Sequence, residues 1–157
     1  MIQCVDHIEV VTPDLDRSIE FYTQVLGFKL ARRVAYPSPG KGEAGREIAY
    51  LTLGDIMLEF LEHRATEQAG IVQRDPNQMG VKLVALRVDD MVKTLEELKD
   101  HGIEPSWGPN PGATFDGMRA EIKDPHGNSI ELRSWANNDR ADNPGWQPSR
   151  PGMARLA

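Results

Sequence analysis

Short β-branched runs alternate with amphipathic stripes along this chain, and their order is written twice. Val5-Asp6-His7-Ile8-Glu9-Val10-Val11 reads as a strand, and Thr12-Pro13-Asp14 stops it and supplies helix-start chemistry. Leu15, Ile19, Tyr22 and Leu26 then recur at spacings of four, three and four, which predicts a helix from Asp14 to Leu26 with Gly27 as its C-terminal cap.

The second half repeats this grammar. Lys82 to Val88 reads as a strand, Asp89-Asp90 opens a helix, and Met91, Leu95 and Leu98 carry its stripe to Gly102, an offset of 75 or 76 residues from the first copy. Later in each half a Gly-containing turn leads into an apolar strand holding one glutamate. The two are Gly54-Asp55-Ile56-Met57-Leu58-Glu59-Phe60 and Gly127-Asn128-Ser129-Ile130-Glu131-Leu132, with the glutamates 72 residues apart. Each half therefore reads as strand, helix and about three strands, a unit whose apolar sheet face cannot be buried alone. Glu62 to Gly80 reads as a linker or edge loop. Tyr36 to Gly45 and Pro105 to Asp116 read as loops beside a site. Residues 137–157, with Trp146 as their one large apolar anchor, read as an extended C-terminal tail.

Composition narrows the function classes. At 157 residues one domain is expected, and no apolar run approaches the roughly 20 residues that cross a bilayer. The first residues lack a basic stretch followed by an apolar one, and the single cysteine, Cys4, suits a reducing compartment, so a cytoplasmic protein without a membrane partner is expected. A net charge of −6 argues against nucleic acid, whose binding needs a basic patch that releases counterions. A small-molecule substrate is expected instead.

Several stretches resemble the vicinal-oxygen-chelate superfamily, which includes glyoxalase I, bleomycin-resistance proteins, methylmalonyl-CoA epimerase, fosfomycin-resistance enzymes and extradiol dioxygenases. The carriers are Asp6-His7-Ile8, Asp16 to Tyr22 followed by Val25-Leu26-Gly27-Phe28, Leu58-Glu59-Phe60, and Asp124-Pro125-His126-Gly127-Asn128-Ser129-Ile130-Glu131-Leu132. The resemblance implies an α+β fold of two βαβββ modules forming a cup-shaped, mostly antiparallel open barrel with helices outside. It places a single domain over residues 1–136, with module 1 at about 4–62 and module 2 at about 80–134. Family proteins of this size often dimerise, so a homodimer is expected.

The resemblance also implies metal ligands on the first and last strand of each module, the positions of His7, Glu59, Leu83 and Glu131. Imidazole and carboxylates accept nickel, zinc, manganese, iron or cobalt, so one divalent ion on His7, Glu59 and Glu131 is the expected cofactor. Alternation along a strand sends the apolar flankers of Glu59 and Glu131 to the helix side and both carboxylates to the other face. Leucine cannot ligate. Either three residues hold the ion, or His63, Gln78 or a partner subunit supplies a donor, or the metal is gone and a binding pocket remains. His126 and His101 read as surface residues. Glu9, on the face of His7, and Arg87 and Arg133, on the faces of Leu83 and Glu131, are candidates to bind substrate, the two arginines through a carboxylate or phosphate.

The function expected from these residues is that of a metal-dependent lyase or isomerase resembling glyoxalase I or an epimerase. In it Glu131 first, and Glu59 second, is the candidate base. Two alternatives stay open: a metal-free binding protein like the bleomycin-resistance proteins, which Leu83 favours, and an extradiol-type dioxygenase, against which one histidine and two carboxylates count.

Overall fold

Asp14 decides where the first helix begins. Its backbone is extended (φ −144°), and its carboxylate accepts the amide of Arg17 at 2.9 Å, satisfying a donor that helix geometry leaves orphaned. Strand β1 (Ile8–Thr12) therefore passes directly into helix α1 (Leu15–Glu20). The buried hydroxyls of Thr12 and Ser18 hydrogen-bond at 2.7 Å across this join. The coordinates are a computed structural model that describes residues 5–36, 46–62, 80–113 and 115–135. The chain divides into two compact units, Met1–Val72 and Gln73–Ala157, and each repeats one order of elements.

In the first unit α1 is shorter than the stripe predicts, because the chain continues as a π-helical turn over Phe21–Val25. The Leu26 amide reaches back five residues to the Phe21 carbonyl at 3.3 Å. The extra residue turns the adjacent Phe21 and Tyr22 inward together, and Ile19 of the predicted stripe is only half-buried. Tyr22 meets Phe28 at 5.5 Å and Phe60 at 4.7 Å between ring centroids. Gly27, at φ 74°, makes the predicted stop.

Strands β2 (Lys29–Tyr36), β3 (Arg46–Leu53) and β4 (Ile56–Glu62) complete a sheet of order β1-β4-β3-β2. β1 and β4 are parallel, and the other pairs are antiparallel. Leu51, Leu58, Phe60 and Ala49 are buried completely on the face that receives Leu15 and Tyr22.

The second unit follows the same plan: β5 (Val84–Arg87), α2 (Met91–Asp100), β6 (Trp107–Pro111), β7 (Gly117–Lys123) and β8 (Ser129–Trp135), with sheet order β5-β8-β7-β6. Asp90 caps α2 through the Lys93 amide at 3.1 Å, and Met91 and Leu98 bury the helix's apolar stripe. β5 is shorter than the predicted strand, beginning at Val84 and leaving Leu83 just ahead of it. Strand β6 lies inside Pro105 to Asp116, which reads as a loop because glycine and three prolines hide its pairing. β6 approaches β7 so closely that a Cβ on Gly108 would stand 2.7 Å from the Arg119 carbonyl oxygen. Asp124 builds the turn into β8, its carboxylate accepting the amides of His126 and Asn128 at 2.9 and 2.8 Å.

The α+β assignment and the two βαβββ modules thus agree with the sequence. Among the described residues, no helix is long and apolar enough to cross a membrane. The linker centre, most of Tyr36 to Gly45, Cys4 and the tail from residue 136 lie outside the described residues.

Candidate functional site

Strand parity sorts β4 and β8 into two faces. Leu58 and Phe60 enter the core and Glu59 between them faces the other way; in the second unit Ile130 and Leu132 flank Glu131 likewise. Register then fixes the neighbours. In the first unit Glu9, Glu59, Tyr50 and Arg32 lie directly across from one another on β1, β4, β3 and β2. In the second, Ala85, Glu131, Glu121 and Trp107 form the corresponding row.

His7 lies two residues before Glu9, the register partner of Glu59, and Leu83 lies two before Ala85, the partner of Glu131. Leu83 therefore occupies in the second unit the place that His7 holds in the first.

In the first unit two predicted donors meet. His7 Nε2 stands 3.4 Å from Glu59 Oε2, and His7 Nδ1 is 2.8 Å from Asp6 Oδ2. A proton on Nδ1 shared with Asp6 leaves the Nε2 lone pair on the side of Glu59, the arrangement by which a carboxylate orients a ligating histidine. Donors at ~2.1 Å from one ion lie roughly 3.0 to 3.4 Å apart, so this pair suits a borderline divalent cation. The hydrogen bond to Asp6, followed by the charges of Glu59, Asp6 and Glu9, raises the His7 pKa despite some desolvation. Glu59 is largely enclosed, with 11% of its side chain exposed. Tyr50 faces Glu59 across the β3–β4 register, and burial first and that carboxylate second push its phenol pKa up.

In the second unit Glu131 Oε1 accepts a 2.6 Å hydrogen bond from Arg133 Nε, two residues along the same strand. Arg133 lies beside Arg87 in the sheet register. Glu121, opposite Glu131, is engaged by Lys123 at 2.7 Å and Ser129 at 3.0 Å; burial raises its pKa, and these hydrogen bonds outweigh that and lower it. Among the described residues no three histidine, cysteine, aspartate or glutamate side chains gather to hold an ion. The predicted set falls into the His7–Glu59 pair of the first unit and Glu131 of the second.

Glu9 is exposed beside Glu59. His101 is exposed at the end of α2, as expected, but His126 is half-buried with its Nε2 enclosed, because the Asp124 turn folds the ring inward. His63 and Gln78 lie outside the described residues. Asp6, Tyr50, Glu121 and Arg119 are absent from the sequence-based site. Asp6 was legible as the neighbour of a candidate ligand, whereas the others needed the register of β3 and β7.

A sequence profile described as "Glyoxalase/Bleomycin resistance protein/Dioxygenase superfamily" matches residues 5–132. A lactoylglutathione lyase of Escherichia coli O157:H7 is 32% identical over 130 residues, covering 80% of this chain and 88% of that protein. A 2-epi-5-epi-valiolone epimerase of Actinomyces is 31% identical over 105 residues, covering 60% of this chain and 57% of the relative. The crystal structure of glyoxalase I from Zea mays superposes with a TM-score of 0.64 at 26% identity, over 83% of this chain and 44% of that one.

Proposed function

Because the chain belongs to the glyoxalase/bleomycin resistance protein/dioxygenase superfamily, we propose that it is a metal-dependent lyase or isomerase acting by proton transfer on a small substrate with adjacent oxygens. Its relatives are lyases and epimerases, which makes it a glyoxalase-like enzyme. The observation that carries the metal is the His7–Glu59 pair at 3.4 Å with Asp6 behind the imidazole. His7 and Glu59 are the donors we assign, both within the first unit. A bound divalent ion would polarise the substrate carbonyl and offset negative charge on its oxygen.

The remaining work falls to the protein's own groups. Asp6 holds the His7 ring, and Tyr50 lies beside Glu59 in the register and bounds the space that carboxylate faces. Arg133 fixes Oε1 of Glu131, so the second carboxylate oxygen is the one assigned to take a proton from carbon and return it. Glu59 is the second candidate for that role.

The test pairs metal content with turnover. Protein stripped by a chelator and reloaded with nickel, zinc, manganese, iron or cobalt is assayed for lactoylglutathione chemistry and for exchange of a carbon-bound proton into heavy water. Restored turnover, with Asp6→Ala weakening metal uptake roughly 10- to 100-fold and His7→Ala weakening it further, is the expected result. Full activity in the stripped protein overturns the metal, and no activity or exchange with any of the ions overturns the lyase or isomerase reading.

Leu83 supports a second reading, a metal-free binding protein. In the second unit an apolar side chain stands at the histidine place, and Glu131 is hydrogen-bonded to Arg133. Purified protein that carries no stoichiometric metal and takes none up on addition would favour it.

A further inference from the structure

The row next to Glu131 in the second sheet is built of arginines. Arg87 on β5, Arg133 on β8 and Arg119 on β7 are directly opposite one another in register, with Asn110 of β6 completing the row. Like charges across adjacent strands destabilise a sheet, since directly opposed Cβ atoms are only ~5 Å apart. The sheet nevertheless holds two of these side chains in fixed poses. The Arg119 guanidinium lies 4.8 Å from the ring centre of Trp107, and that of Arg133 lies 4.4 Å from Phe115 and 6.0 Å from Trp135.

The polar edges of these cations are only partly used. Arg133 gives its Nε–H to Glu131, and the Nε of Arg119 is buried without a hydrogen-bond partner. A buried donor left unpaired is costly, and a guanidinium stacked on a ring still presents its N–H edge to a planar oxyanion.

We infer that Arg119 and Arg133 bind the carboxylate or phosphate of a small organic anion and hold it beside Glu131. This rests on the reading of Glu131 as the proton-transfer group and narrows the substrate class. Because Arg133 Nε is itself 2.6 Å from Glu131 Oε1, the reacting carbon would lie close to the anionic group, as in a short organic acid or phosphate ester. Arg119 is then a specificity-determining residue, fixed by Trp107 and by the close approach of β6 at Gly108.

The test is anion binding to metal-stripped protein, followed by calorimetry and by tryptophan fluorescence, since Trp107 and Trp135 adjoin the two arginines. Inorganic phosphate and malonate are the probes, and their relative affinities separate a phosphate site from a carboxylate site. Saturable binding by one of them is expected, with Arg119→Gln weakening it roughly tenfold or more and Arg119→Lys less, because lysine keeps the charge but loses the planar fork. Trp107→Phe should remove part of the fluorescence response. A wild-type response reproduced by sodium chloride at equal ionic strength, or unchanged affinity in a folded Arg119→Gln variant, overturns the inference.

Glu131→Gln separates this claim from the functional reading. That variant should bind the probe at least as tightly as wild type, because an acidic neighbour is gone. Loss of probe binding with turnover intact removes the anion site alone, whereas probe binding with turnover surviving in Glu131→Gln removes the proton-transfer role alone.

Discussion

Replacing Glu131 by glutamine separates chemistry from folding. The amide keeps the size of the side chain and a carbonyl oxygen that can still accept from Arg133 Nε, now 2.6 Å from the carboxylate. What is lost is the charge. The bond from the charged guanidinium survives, so the substitution should cost at most the difference between a charged hydrogen bond (about 1.5–3 kcal/mol) and a neutral one (about 0.5–1.5), on the order of 1–1.5 kcal/mol of stability. The pair is partly solvated, at 32% and 15% side-chain exposure, which keeps the cost at the lower end. At about 2–4 °C per kcal/mol for a domain of this size, the melting temperature should fall by only a few degrees.

A general base contributes about 10²- to 10⁴-fold to rate, or roughly 2.7–5.4 kcal/mol at 1.36 kcal/mol per decade. Turnover should thus fall by two decades or more while the melting curve moves slightly. Steady-state kcat/KM on metal-loaded protein and thermal denaturation by circular dichroism measure the two. Turnover within a few-fold of wild type refutes the role of Glu131 as base. A melting temperature lower by more than about 10 °C refutes the assumption that the amide preserves the site, because that exceeds the energy of the lost charge.

Leu83→His rebuilds in the second unit the histidine–carboxylate pair that His7 and Glu59 make in the first, and should tighten zinc or nickel binding at least roughly tenfold in competition with a chelating dye. Asp6→Asn should lower the His7 pKa toward the ordinary 6.5, followed by its ring-proton shifts in NMR titration, since the hydrogen bond to Asp6 is the main cause raising it. The sign follows from linkage: a pKa raised by folding adds stability below the unfolded value that disappears as pH rises through the folded one, so the variant should lose stability on the acid side and little above it. Phe60→Ala, which empties a fully buried site against Tyr22, should cost about 3–5 kcal/mol in urea denaturation. A loss below about 1 kcal/mol would mean that the apolar face of the first sheet is not packed as described.

Much of this fold is legible in the sequence because its signals are local. Asp14 and Asp90 cap helices where the polar residue meets the apolar stripe, and the parity around Glu59 and Glu131 follows from alternation alone. The exceptions have physical causes. The π-helical turn at Phe21–Val25 breaks the 3.6-residue period that the stripe assumes, and β6 pairs through a segment whose glycine and prolines mimic a loop. The His7–Glu59 pair was legible from the resemblance of two short motifs. Tyr50 and Arg119 were not, since what makes them neighbours of Glu59 and Arg133 is a hydrogen-bond register between strands distant in sequence.

The alternation along β8 also limits how this gene can change. Ile130 and Leu132 serve the core while Ser129, Glu131 and Arg133 serve the opposite face, so one strand carries two interleaved messages. Point substitutions can rewrite one without touching the other, and ligand preference can drift while the core stays fixed. Deleting or inserting a single codon within β8 would exchange the two messages, driving a carboxylate and a guanidinium against α2 and turning leucine and isoleucine outward. Length variation among descendants of this sequence should therefore collect in the turns, and the strands should diverge only by replacement.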